Sequence, residues 1–152
     1  MWHELEEEIQ LEIAHLRQLM NQFAPLRKKV ESVSPDTVEI IALAGMLQSF
    51  YNGIENIFKR VALCMEQTLP SGEMWHSRLL DLMAKSSSYR ASVISKDLQD
   101  RLRLYMNFRH VFRHSYSFDL QWPKMADLVL QCEIVLNHVE KELISFLKKS
   151  KQ

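Results

Sequence analysis

The chain contains little that would interrupt a helix, because only 3 glycines and 4 prolines occur among its 152 residues. No apolar run approaches the roughly 20 residues that a membrane-spanning helix needs. The start of the sequence is acidic and lacks the basic and apolar segments of a signal peptide. There is also no internal repeat and no glycine-rich phosphate loop. We therefore expect a cytoplasmic protein that has no association with a membrane.

Cysteine is equally scarce, and the charges of the chain balance. Cys64 and Cys132 lie in apolar patterns without the spacing of metal ligands, which is typical of reduced, buried thiols. The 19 basic residues match the 19 acidic ones, so RNA would have to be held by a local patch rather than by the field of the whole molecule. The length and the 47% apolar content indicate a single globular domain over residues 1–152.

The spacing of apolar residues predicts about five helices. Steps of three and four predict a first helix over residues 2–32, with a kink at Pro25. Ser34, as the N-cap, and Pro35 indicate the start of a second helix, which is apolar on two faces and should be central. Shorter patterns predict a helix over residues 73–85. Two more helices are expected to begin after Ser95 and at Trp122, giving an all-α antiparallel bundle.

One short stretch concentrates arginine and histidine. Residues 105–118 read YMNFRHVFRHSYSF, and four arginines but no acidic residue occur from Arg101 to His114. Histidine exchanges protons near neutral pH, and the planar arginine side chain pairs with two phosphate oxygens at once. This combination favours binding and cleavage of a phosphodiester.

The order of residues in this stretch carries a family resemblance. Arg109 is followed by a polar residue, His110, then by an apolar stretch, then by His114, and two residues later by Tyr116. This arrangement resembles the signature of the HepT-like toxins of the HEPN ribonuclease superfamily. An asparagine or aspartate is commoner in that family where this chain has His110.

A second match lies upstream, in residues 51–60. Glu55 is followed four residues later by Lys59, which resembles a helical motif of the same family. Two interpretations are open for Glu55. It forms a surface ion pair with Lys59 that contributes a few tenths of a kcal/mol, which is about the value of such helical pairs. Alternatively, it faces the motif helix and orients Arg109 or a histidine.

The resemblance implies a HEPN-like bundle that acts as the toxin of a bacterial toxin–antitoxin pair. Such proteins are metal-independent endoribonucleases, with tRNA as a candidate substrate, and they imply no metal and no cofactor. In this chain Arg109 would clamp the phosphate and His114 would serve as acid or base. His110, Arg113 and Glu55 would support them.

The resemblance also assigns a regulatory role to Tyr116. In the family, a nucleotidyltransferase antitoxin attaches AMP to this tyrosine, and the added negative charge would pair with Arg109 and Arg113 and block RNA. A simpler interpretation is that Tyr116 closes the helix and packs on Phe112 or Phe118.

Helix geometry bears on how the site is assembled. On an uninterrupted helix, Arg109 and His114 would point about 140° apart, whereas Arg109 and Tyr116 would lie within about 20°. Either the helix ends near His114, or two copies of the motif meet. The resemblance implies a homodimer with facing motifs. We expect Arg109 and His114 to be largely exposed.

Three other interpretations remain open. The chain could be a non-catalytic, substrate-binding partner of a nucleotidyltransferase. It could be an interaction module unrelated to RNA, which burial of Arg109 and His114 in separate places would support. His110 and His114 could bind zinc as a pair, although no third ligand is evident. His76, like the remaining histidines, is interpreted as a surface or helix-flank residue.

Overall fold

The computed structural model describes residues 2–150, and the side chain of Ser117 lies outside that description. These residues form five α-helices and one short 3-10 turn, and no strand occurs among them. The helices are α1 (Trp2–Lys29), α2 (Thr37–Met65), α3 (Trp75–Ala84), α4 (Lys96–Arg113) and α5 (Trp122–Ser150), and the 3-10 turn is Ser117–Asp119. The predicted all-α bundle is confirmed.

Helix α2 is the centre of the bundle, as its two apolar faces predicted. It packs against α1, α3, α4 and α5. Its aromatic side chains Phe50, Tyr51 and Phe58 are among the largest fully buried ones. Burial of this apolar surface is the main favourable term in folding.

A glycine allows α1 to approach α2 closely. A Cβ at Gly53 would lie 2.6 Å from Cδ2 of Leu16, a buried residue of α1. Any larger residue would therefore have to displace a packed core side chain.

The helix boundaries correct part of the sequence analysis. Helix α1 includes Pro25 as predicted, but it ends at Lys29 rather than at residue 32. Helix α2 is capped by Asp36 rather than by Ser34, because Asp36 and Glu39 form a reciprocal capping box. The Glu39 amide donates to Oδ1 of Asp36 at 2.8 Å, and the Asp36 amide donates to Oε1 of Glu39 at 3.1 Å. Helix α4 begins after Ser95 as predicted, and the Oγ of Ser95 caps it by accepting from the Leu98 amide.

Packing around α2 brings three helices together at one place. Helices α2, α3 and α4 contact one another pairwise. The short α3 therefore lies beside both the motif helix α4 and the central helix α2. In the part of the chain that the structure describes, every helix is too short or too polar to cross a lipid bilayer.

Candidate functional site

Glu55 is a buried carboxylate in the central helix α2, with 4% of its side chain exposed. A buried charge requires partners, and Glu55 has two. Its Oε1 accepts from Nη1 of Arg109 at 3.2 Å, and its Oε2 lies 2.7 Å from Nδ1 of His76. Lys59 lies instead over the Trp75 ring, 4.6 Å from its centroid. The structure therefore favours the interpretation in which Glu55 faces the motif helix and contacts Arg109 and a histidine.

Arg109 is far less exposed than predicted. Only 12% of its side chain is exposed, because the ion pair with Glu55 holds the guanidinium against α2. Its Nε is buried without a hydrogen-bond partner among the described residues. Its Nη2 likewise makes no hydrogen bond within residues 2–150. The side chain still lines a cleft, so its Nη2 remains as a donor for an acceptor supplied by a ligand.

His114 is exposed and stands where the motif helix ends. Helix α4 terminates at Arg113, and the His114 amide donates to the carbonyl of Val111 at 3.1 Å. The end of the helix at this point is one of the two arrangements expected from the helix geometry. The His110 ring lies beside the His114 ring, with centroids 4.7 Å apart.

An open cleft of about 570 Å³ lies between the start of α3 and the end of α4. Its walls include three imidazoles, from His76, His110 and His114, and two guanidinium groups, from Arg109 and Arg113. Only one acidic residue contributes to the lining. A single chain thus brings Arg109 and His114 to one cleft. The two residues are not buried in separate places, which would have supported the interaction module.

His76 is the residue of this cleft that the sequence analysis missed. It was interpreted as a surface or flanking residue, but it contacts Glu55, 21 positions earlier, and Arg109, 33 positions later. No local pattern in the sequence signals such contacts. The only hint is its place at the start of a short helix that follows a loop.

Tyr116 lies beyond the motif helix and is 73% exposed. Its ring stacks on Phe118, with centroids 5.2 Å apart, and its amide donates to Asp119. The helical face that was expected to bring Tyr116 beside Arg109 does not exist, because α4 ends at Arg113 and Arg109 turns toward Glu55. The uninterrupted helix on which that proximity depended is therefore absent, and the proximity itself stays a prediction.

The charge of Glu55 also acts on a neighbouring phenol of α2. Tyr51, one turn earlier on α2, is buried, and this burial raises the pKa of its phenol far above the ordinary value, with the negative charge of Glu55 adding to the shift. Among residues 2–150, no three His, Cys, Asp or Glu side chains form a group suited to a metal ion.

The fold and the cleft define an α-helical bundle with an arginine and a histidine gathered at the end of one helix. Residues 42–150 match the model of a family described as HepT-like protein. The chain therefore belongs to the HepT-like family of HEPN proteins. The match begins within α2 and includes every residue that lines the cleft, whereas α1 precedes it. No curated protein and no solved structure gives a significant match.

Proposed function

We propose that this chain is a metal-independent endoribonuclease that acts in the cytoplasm as the toxin of a bacterial toxin–antitoxin pair, with tRNA as its candidate substrate. The observation that carries the proposal is the shared cleft, in which the donors of Arg109 and the exposed imidazole of His114 line one open surface. Membership of the HepT-like family supports it.

The chemistry assigned to the cleft follows from its residue types. Cleavage without a metal requires the ribose 2′-oxygen to attack the adjacent phosphorus, with protons moved and the negative charge neutralised. Arg109 presents unpaired donors to the phosphate oxygens, and its ion pair with Glu55 fixes its position. His114 exchanges a proton with the reacting oxygens. Arg113 is exposed beside them to receive a neighbouring phosphate, and His110 supports His114 through ring contact.

The decisive experiment compares His114→Ala and Arg109→Lys with the wild-type chain. Arg109→Lys keeps a cation against Glu55 but removes the planar guanidinium group. It therefore tests phosphate recognition with less damage to the fold than truncation to alanine would cause. We expect each variant to lose growth inhibition in bacteria and to cleave RNA at least about 100-fold more slowly in the presence of EDTA. His15→Ala, an exposed histidine on α1, is the matched control. Cleavage by His114→Ala at the wild-type rate, or loss of wild-type cleavage with EDTA, would contradict the proposal.

A homodimer is part of the same proposal. Leu104 and Val111 are exposed apolar residues seven positions apart on α4, so they share one face of the motif helix, and exposed Phe118 follows it. Apolar residues clustered on the surface favour contact with a partner. We expect sedimentation to give a dimer, and Leu104→Glu combined with Val111→Glu to give a monomer. Leu11→Glu, at an exposed apolar position on α1, should leave the dimer intact; a monomeric wild type would contradict the assignment.

The proposed regulator is a nucleotidyltransferase that attaches AMP to Tyr116. The exposure of this tyrosine beyond the end of α4 supports access by an enzyme. An added phosphate would bring negative charge two residues from His114 and close in sequence to Arg113, whose exposed guanidinium has no ion-pair partner among the described residues.

The alternative is a non-catalytic, substrate-binding partner of a nucleotidyltransferase. The burial of Arg109 in an ion pair favours this alternative, because such a pair also stabilises a fold without any catalytic role. RNA binding that is equal in the wild type and in His114→Ala, without cleavage by either, would decide for it.

A further inference from the structure

His76 connects the buried carboxylate to the cleft. It lies near the start of α3, 29% of its side chain is exposed, and it lines the cleft together with His114. Its Nδ1 is 2.7 Å from Oε2 of Glu55 and 3.3 Å from Nη1 of Arg109. Its Nε2 makes no hydrogen bond to any residue that the structure describes.

These contacts select one tautomer of His76. An ionised carboxylate only accepts hydrogen bonds, and a guanidinium only donates them, so Nδ1 cannot satisfy both neighbours. The contact with Glu55 is clearly the shorter, and Nδ1 therefore carries the hydrogen and donates it to Glu55. In the neutral ring Nε2 is then unprotonated, with its lone pair free. A carboxylate that fixes one nitrogen of an imidazole in this way prepares the other nitrogen to accept a proton.

The two exposed histidines at the end of α4 lack such a partner. His114 contacts the ring of His110 and has no carboxylate against either ring nitrogen within residues 2–150. The cleft thus contains one imidazole with a fixed tautomer, His76, and two without, His110 and His114. Transfer of a phosphodiester requires two proton movements, one from the attacking oxygen and one to the leaving oxygen.

We propose that His76 is a second catalytic residue, the general base of the cleavage, and that Glu55 positions it; this rests on the ribonuclease function proposed above. Nε2 of His76 takes the proton of the ribose 2′-hydroxyl, and the 2′-oxygen forms a bond to phosphorus. The bond from phosphorus to the 5′-oxygen breaks, and that oxygen leaves with the electron pair and accepts a proton from protonated His114. The products are a 2′,3′-cyclic phosphate and a 5′-hydroxyl. Solvent then removes the proton from His76 and returns one to His114.

A leaving group that needs no proton separates the two roles. The substrates are a short RNA that spans a cut site mapped with the wild-type chain, and the same RNA with sulfur in place of the bridging 5′-oxygen at that site. We expect His76→Ala to slow cleavage of both substrates by about 100-fold or more, since the 2′-hydroxyl must lose its proton in each. We expect His114→Ala to slow cleavage of the oxygen substrate by a similar factor but to cleave the sulfur substrate within about 10-fold of the wild type. His15→Ala should behave as the wild type on both.

His76→Asn distinguishes a catalytic from a structural role. The asparagine amide can still donate to Glu55 from the position of Nδ1, but it has no counterpart of Nε2. We expect this variant to keep the helical circular dichroism of the wild type and to be as slow as His76→Ala. Restoration of cleavage by the asparagine would overturn the proposal.

The remaining outcomes also decide the assignment. Wild-type rates for His76→Ala on both substrates would remove His76 from the reaction. Recovery of His76→Ala on the sulfur substrate would make it the acid rather than the base, and would refute the division of roles between His76 and His114. A wild-type chain that cleaves no RNA would refute the ribonuclease function itself, and that result differs from each of the others.

Discussion

Truncation of Arg109 should destabilise the whole fold, and this effect must be separated from any effect on catalysis. Arg109→Ala removes the guanidinium from Glu55 and leaves a carboxylate that is 4% exposed with His76 as its remaining partner. Breaking a buried ion pair by removing one partner costs about 3–5 kcal/mol, because the other charge stays buried without compensation. The hydrogen bond to His76 places the expected loss near the lower end, at about 3 kcal/mol. The sequence analysis predicted an exposed Arg109, and truncation of an exposed side chain would have changed the stability of the fold by no more than about 0.5 kcal/mol.

A loss of this size is measurable and large for a small domain. Total free energies of unfolding are about 5–15 kcal/mol, and 1 kcal/mol shifts the melting temperature by roughly 2–4 °C at this length. We expect Arg109→Ala to melt roughly 6–12 °C below the wild type and to unfold at lower urea concentration. Arg113→Ala, one turn later and exposed, should remain within about 0.5 kcal/mol of the wild type.

A second substitution tests the cause. Glu55→Gln in the Arg109→Ala background replaces the uncompensated charge with a neutral amide, so we expect recovery of about 1 kcal/mol or more. The reasoning is refuted if Arg109→Ala unfolds within about 0.5 kcal/mol of the wild type. It is also refuted if Glu55→Gln lowers the stability of the Arg109→Ala variant further.

Three further predictions concern packing, pH and modification. An added Cβ would meet open space at Gly45 but would contact Leu16 at Gly53. In urea titrations, Gly45→Ala should therefore stabilise the chain by about 0.5–1 kcal/mol, and Gly53→Ala should destabilise it by about 1–3 kcal/mol. Equal effects of the two substitutions would contradict the packing of α1 on α2. Burial raises the pKa of the Tyr51 and Tyr105 phenols above the ordinary value. The two neutral phenols therefore contribute fully to the free energy of unfolding below about pH 10, and this contribution is lost as the pH rises above that value. Absorbance follows the ionisation of the phenols. If both phenols ionised at about pH 10 while the helices stayed intact, this prediction would be contradicted. A nucleotidyltransferase that modifies the protein should add AMP to the wild type but not to Tyr116→Phe, as measured by the mass of the intact protein. The same gain in mass on Tyr116→Phe as on the wild type would exclude Tyr116 as the modified residue.

Much of the fold was predictable because local patterns determine it. Apolar residues at steps of three and four specify the helices, since such residues fall on one face of a helix and must be buried. The two apolar faces of α2 predicted its central place, and Ser95 predicted the start of α4. The cap of α2 was predicted at Ser34 but lies at Asp36, because the reciprocal bonds between Asp36 and Glu39 outweigh the single cap of a serine.

The candidate site was predictable only in part. The sequence by itself placed Arg109, His114 and Tyr116 in one short segment, because they are neighbours along the chain. It left the partner of Glu55 open between Lys59 and the motif helix. Sequence periodicity describes which face a residue occupies on its own helix, and it carries no information about which residue of another helix lies opposite.

Tertiary packing decided the rest. The contacts of Glu55 with His76 and Arg109 join α2, α3 and α4 across 21 and 54 positions of sequence. A buried carboxylate must be paired, and that requirement turned Arg109 inward and brought to the cleft a histidine that no sequence motif includes. The sequence determined the helices and the chemical character of one segment. Only the packing of three helices around one buried charge determined which side chains face each other there, because the energy of that charge depends on its neighbours in space.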